Sequence, residues 1–174
     1  AMRRPERRAT IRERVGWLRE AVPGLTLRTT VIVGFPGETE EDFAELVGLL
    51  EEIRFDRVGA FAYSIEEGTR AAELDGHLSE SLKRERLEAL MDVQRGISLD
   101  RNLDSVGTRT ALLVERTLED DPDAVAVGRT EGQASDVDGV TYLVDLGGSA
   151  PGEIVEVEIV DAMEHDLVAR VVMP

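Results

Sequence analysis

The 174-residue chain contains no cysteine. Iron–sulfur clusters are held by cysteine thiolates, so these residues cannot ligate one. The two histidines, His77 and His165, lie far apart in sequence with no thiol beside either, which gives no metal-site spacing. Lysine is nearly missing: Lys83 stands alone among arginines, a bias that points to genome composition more than to function. No apolar run is long enough to span a membrane, and no secretory signal is visible. The chain therefore reads as soluble and cytoplasmic. Positive charge is scarce as well, with 36 acidic residues against 20 basic ones and a net charge of −16. Phosphate binding needs clustered Lys and Arg, so nucleic acid is disfavoured as the direct partner. A basic partner, or plain solubility, is favoured.

The most informative stretch that is present runs from Arg28 to Phe43, RTTVIVGFPGETEEDF. Val31, Ile32 and Val33 are β-branched neighbours, as expected for a strand covered on both faces. Gly34 and Gly37 flank Phe35 and Pro36, which predicts a sharp turn with room for close approach. Thr39 is a good N-cap, and Glu40, Glu41 and Asp42 occupy the first turn, where the helix dipole favours negative charge. Phe43, Leu46, Val47, Leu50 and Ile53 follow with helical spacing. Taken alone, the glycine turn is compatible with a mere connection. In a parallel α/β fold, however, the carboxyl end of such a strand is where ligands bind.

The remaining elements follow from the same signals. Thr10 with Glu13 forms a capping box ahead of the stripe Ile11, Val15, Leu18 and Val22, and Pro23-Gly24 stops the helix. Trp17 lies at the edge of that stripe and reads as packing. Arg3, Arg4, Arg7 and Arg8 read as a solvated arm. Residues 58–63 make a second short strand, and Ser79 caps a long helix to about Leu103. On that helix Leu87, Leu90, Met91 and Ile97 share one face, while Lys83, Arg84, Glu85 and Arg86 read as a solvated charged face. The pairs Glu66/Glu67 and Asp120/Asp121 are no acid–base dyad, because adjacent side chains point apart. Beyond Gly107 the pattern becomes period-two and turn-rich. Five strands are predicted, at 109–116, 124–129, 139–144, 154–161 and 166–172. They suit a small antiparallel barrel resembling an OB-fold.

The string TTVIVGFPGETEEDF closely resembles the fifth-strand segment of the radical S-adenosylmethionine methylthiotransferases. Met2-Arg3-Arg4-Pro5, Asp56–Gly59, Tyr63-Ser64 with Glu67-Gly68-Thr69, Lys83–Leu87, and Gln94 with Ile97-Ser98 agree in order and spacing. Gly128-Arg129-Thr130, Asp138–Leu143, Pro151-Gly152 and Asp166–Val168 resemble a TRAM domain, the small barrel that ends those enzymes. The resemblance implies an α/β first part, residues 1–106, holding the C-terminal strands and helices of a partial TIM-like radical SAM barrel. It implies a second part, residues 107–174, that is an all-β, five-stranded, OB-like TRAM barrel.

The same resemblance carries functional expectations. The intact enzyme would use S-adenosylmethionine and two 4Fe-4S clusters. The cluster-binding cysteines would lie upstream, so this chain would hold no cluster and no catalytic residue and would be inactive alone. Val33, Gly34, Phe35 and Pro36, with Tyr63 at the rim, are the implied S-adenosylmethionine contacts. The general pattern of these enzymes puts a glycine at Thr30 and a glutamate at Gly37, whereas here the glutamate is Glu38. Within the family, Leu27–Thr30 and Ser135–Val140 resemble the branch that methylthiolates the β-carbon of an aspartate on small-subunit ribosomal protein number twelve. The alternatives are the branch that modifies tRNA and a non-catalytic acidic barrel that serves only as a binding module.

Charge supports the first branch independently. From Gly107 onward, 15 acidic residues face 4 basic ones. Tyr142 is the only aromatic residue there, so the stacking platform for single-stranded RNA is missing. A basic ribosomal protein would be attracted and tRNA repelled. Asp136, Asp138, Glu156 and Glu158 are the expected partner-binding positions.

Overall fold

The computed structural model describes residues 8–172; Arg3, Arg4 and Arg7 of the expected arm lie outside them. The chain forms two compact units, one up to Ile97 and one from Ser98 onward. No helix among the described residues is long and apolar enough to cross a membrane.

In the first unit, helix α1 (Arg8–Ala21) precedes strand β1 (Arg28–Val33), helix α2 (Glu40–Ile53), strand β2 (Arg57–Ala62) and the start of helix α3 (Glu80–Asp104). β1 and β2 pair in parallel, with Val31 opposite Ala60 and Val33 opposite Ala62. Strand alternation turns Val31, Val33, Val58 and Ala60 toward a core shared with Val15, Leu50, Ile53, Phe55 and Leu90. The other face carries Thr30, Ile32 and Phe61 and is exposed, Phe61 at 61%. The expectation that β1 is covered on both faces is therefore corrected: the helices supply only one cover. α1 also departs from its expected limits. It is already helical at Arg8, so Arg8 belongs to it, and Thr10 sits inside the helix instead of capping it. Trp17 is 68% exposed, because it lies two residues, roughly 200° of helix, beyond the buried Val15.

α2 has both ends satisfied. Thr39 Oγ1 accepts from the Asp42 N–H at 3.1 Å, and the Asp42 carboxylate accepts from the Thr39 N–H at 3.1 Å. At the other end Arg54 adopts φ +52° and its N–H reaches the Leu50 carbonyl. The Arg19 guanidinium on α1 then donates to the Ile53 and Arg54 carbonyls at 2.7 and 2.9 Å, taking up acceptors that a helix end leaves open. Thr39→Ala should lower stability by about 1 kcal/mol, read as a shifted urea midpoint; a change below about 0.3 kcal/mol would mean that water replaces the cap at no cost.

The second unit contains the closed barrel β3 (Arg109–Thr117), β4 (Ala126–Thr130), β5 (Thr141–Leu143), β7 (Leu167–Val171) and β6 (Ile154–Ala162), in that spatial order. Four of the five pairings are antiparallel. β5 and β7 run parallel, which corrects the all-antiparallel expectation: β6 lies between β5 and β7 in sequence and reverses the chain before β7. The interior is apolar, with Leu112, Val114, Ala126, Leu143, Val157 and Ala169 at its centre. Two polar side chains, Gln133 and Thr141, are buried beside it. The Gln133 carbonyl oxygen accepts from the Thr130 N–H and the Thr141 hydroxyl at 2.9 and 2.8 Å, and its amide nitrogen donates to the Gly139 carbonyl at 3.0 Å. Such a residue is tolerated because its hydrogen bonds are made.

Candidate functional site

A strand that ends inside a protein leaves backbone groups to be satisfied, and the carboxyl ends of β1 and β2 show how this sequence does so. The Val33 carbonyl accepts from the Tyr63 N–H at 2.8 Å, and the Phe35 carbonyl accepts from the Glu38 N–H at 2.9 Å. The Gly37 N–H donates to the Gly76 carbonyl at 2.9 Å, which ties the turn to the loop preceding α3. Gly34 and Gly37 have φ of +74° and +82°, a left-handed backbone that favours glycine. The Gly34 N–H is shared by the two carboxylate oxygens of Glu38, each at 3.0 Å. Glu38 thus acts on the strand end from one position later than the general pattern would place a glutamate.

Around this turn the aromatic residues gather. The Phe35 ring meets Tyr63 edge-on at 5.2 Å, and the His77 ring stacks on Tyr63 at 6.1 Å. Lys83 Nζ lies 5.3 Å from the Tyr63 ring centre, within cation–π range. A cavity of about 400 Å³ opens beside them, walled by Ile32, Phe35, Tyr63, Ala71 and Leu74, with Arg70 among its polar groups. The Tyr63 hydroxyl is buried and has no hydrogen-bond partner among the described residues. A buried hydroxyl without a partner is costly.

The five expected cofactor contacts are therefore neighbours. Val33 and Pro36 are buried, Phe35 and Tyr63 line the cavity, and Gly34 lies behind them. Gly34's open side faces Lys83: a Cβ built there would sit 2.5 Å from Lys83 Cγ. Lys83 and Arg86 correct the reading of a solvated charged face. Their exposures are 1% and 4%, although Arg84 and Glu85 are exposed as expected. The available signal was periodicity. Residues 83, 86, 87, 90, 94 and 97 trace a single helical stripe, and charge masked its first two members. A long aliphatic stem lets such a residue pack like an apolar one.

The four expected partner positions fall on two elements. Glu156 and Glu158 are exposed on the outer face of β6. In the register Glu158 stands opposite Arg109 on β3 and Arg170 on β7, so part of the charge of this face is locally offset. Asp136 is exposed in the β4–β5 loop with φ +59°. Asp138 is half-buried and its carboxylate accepts from the Ala134 N–H at 2.7 Å, which gives it a loop-shaping task. Among the described residues, no group of three or more His, Cys, Asp or Glu side chains is placed to hold a metal ion.

Comparison with known proteins matches residues 106–172 to the TRAM domain. Curated relatives cover nearly the whole chain. One from Anaeromyxobacter sp. (strain K) is 48% identical over 99% of the chain, and one from Geobacter sulfurreducens is 44% identical over 98%. One from Clostridioides difficile (strain 630) is 43% identical over 98%. Each is named ribosomal protein uS12 methylthiotransferase RimO. The chain spans 36–38% of the length of these relatives. The family resemblance read from the sequence motifs is thereby borne out.

Proposed function

We propose that this chain is part of a radical S-adenosylmethionine methylthiotransferase that adds a methylthio group to the β-carbon of an aspartate on ribosomal protein uS12. The observation that carries the reading is the similarity, continuous over 98–99% of the chain, to proteins of that name. On this reading residues 1–106 contribute β1 and β2 to a partial parallel barrel, and residues 107–174 are the recognition domain.

The residues at the strand ends suit an adenosyl group. Ile32, Phe35 and the Tyr63 ring offer apolar walls for a purine. Val33, Gly34 and Pro36 fix the backbone that positions Phe35. When bound in this enzyme class, S-adenosylmethionine supplies the radical and the methyl group. The chain's own residues bind and orient it and exclude water; none is assigned a catalytic role. The two 4Fe-4S clusters find no cysteine ligand on these residues.

The barrel's share is recognition of a basic protein in the cytoplasm by Glu156, Glu158, Asp136 and the neighbourhood of Asp138. Charge steering of this kind weakens as salt screens exposed charges over about 8 Å at physiological ionic strength. Titrating the chain against uS12 and against tRNA at low and physiological salt tests it. The expected result is uS12 binding that falls with salt and weakens about three- to tenfold in E156Q/E158Q, with tRNA bound more weakly throughout. Tighter binding of tRNA would favour the tRNA-modifying branch. Binding of neither would leave the barrel without a charge-steered partner and would sink the assignment of these carboxylates.

A further inference from the structure

Resting on the strand-end reading above, we infer that Arg86 is a positioning residue for the adenosyl ligand, acting through Glu38 on the backbone of the Gly34–Gly37 turn. Glu38 is the only side chain seen to take the Gly34 N–H among the described residues, and its side chain is only 11% exposed. A carboxylate so nearly buried needs a counter-charge to remain ionised and in place. Arg86 supplies it from α3. Nη1 donates to Glu38 Oε1 at 2.6 Å and to the Glu38 carbonyl at 3.2 Å, while Nη2 reaches Glu40 Oε2 at 3.0 Å. The guanidinium lies 5.3 Å from the Phe43 ring centre. Burial works against its charge, and the hydrogen bonds and charges of Glu38 and Glu40 outweigh that, so its pKa is raised.

The same helix holds the turn from a second side. Lys83, one turn earlier on α3, lays its stem against Gly34 and places its ammonium 2.7 Å from Glu80. The strand end is therefore gripped twice, through a hydrogen-bonded carboxylate and through packed methylenes. The grip fixes where Phe35, the next residue, stands in the cavity wall. It also explains why arginine is needed: a lysine at 86 would present one point charge, which cannot hold the Glu38 carboxylate, the Glu38 carbonyl and Glu40 together in a fixed fork.

The test uses R86K, R86M and E40Q in the chain, with two readouts. One is hydrogen exchange of the Gly34 amide by NMR. The other is the dissociation constant for S-adenosylhomocysteine, the probe ligand. R86K should keep the native circular dichroism spectrum, speed Gly34 exchange by about tenfold or more, and weaken the probe by about tenfold. E40Q, which removes only the charge of the outer partner and leaves an acceptor oxygen, should do less on both. If R86M fails to fold, R86K and E40Q still decide. Gly34 exchange unchanged in R86K overturns the inference, as does faster exchange with unaltered probe affinity. Wild-type chain that does not bind the probe, together with faster Gly34 exchange in R86K, would fell the strand-end reading of function while leaving the Arg86 grip on the turn intact.

Discussion

Gly139→Ala should destabilise the barrel by about 3 kcal/mol or more, enough to remove much of the stability of a small domain. A Cβ at this position would overlap the His165 carbonyl oxygen and lie 2.6 Å from Asp166 Oδ1. The obstacle is backbone, which cannot rotate away as a flexible side chain would. Relief by movement is also blocked, because both sides are tied. Asp166 Oδ1 accepts from the Val140 N–H at 2.7 Å, the Val140 carbonyl accepts from the Leu167 N–H at 3.0 Å, and Gln133 holds the Gly139 carbonyl. Shifting Gly139 strains all three. The contrast is Gly96→Ala within α3, where an added Cβ meets nothing within 4 Å. There the expected change is a gain of about 0.5–1 kcal/mol from helix propensity and a less flexible unfolded chain. Urea unfolding followed by circular dichroism measures both. A Gly139→Ala chain within about 0.5 kcal/mol of wild type would show that the close approach to His165 is not a constraint in solution.

The second large effect is expected at Leu112. It is fully buried and pairs with Thr130 on β4 and with Val155 on β6, so its side chain fills the space where three strands converge. Leu112→Ala should lower stability by about 2–5 kcal/mol through lost transfer energy and the cavity left behind. Leu113, the next residue, points to the outer face and is only half-buried. Leu113→Ala should therefore lower stability by less than about 1 kcal/mol. The pair tests the register directly, since a slip of one residue would exchange the two effects. Equal losses at both positions, measured in the same urea titration, would refute the strand assignment.

Most of what local chemistry specifies could be read from the sequence. The β1–turn–α2 unit follows from three β-branched residues, two glycines and a capping threonine, and Thr39 caps α2 as expected. The barrel strands follow from period-two alternation and fall within two residues of the expected limits. What could not be read depends on long-range packing. Nothing near Ile32 in sequence tells that its face lacks a cover. The parallel course of β5 and β7 depends on which strands become neighbours, which alternation does not encode. At the candidate site the aromatic residues and the glycine turn were legible, but the roles of Lys83 and Arg86 were not, because charge normally signals solvent. Only their place on the α3 stripe separates them from Arg84 and Glu85. Gln133 was missed for a related reason: a buried amide is recognised by its partners at 130, 139 and 141, and these become visible only once the loop is folded.

The parallel β5–β7 seam has a consequence for the order of events in folding. β6 and β7 are joined by residues 163–166 alone, and β3 and β4 are also adjacent in sequence, so both hairpins close at small entropic cost. The β3–β6 pairing brings together residues as distant as Arg109 and Glu158, a long-range contact of the kind that slows folding. β5 has only three residues and is held by strands from different hairpins, β4 on one side and β7 on the other. Its antiparallel edge with the neighbouring β4 can form early, whereas its parallel edge with β7 needs both hairpins in place. The β5–β7 seam is therefore expected to close last and to open first. Interactions made only after the barrier govern the unfolding rate more than the folding rate, so the lifetime of the closed barrel rests on Thr141–Leu143 and on the Gln133 and Asp166 hydrogen bonds that fasten their approach.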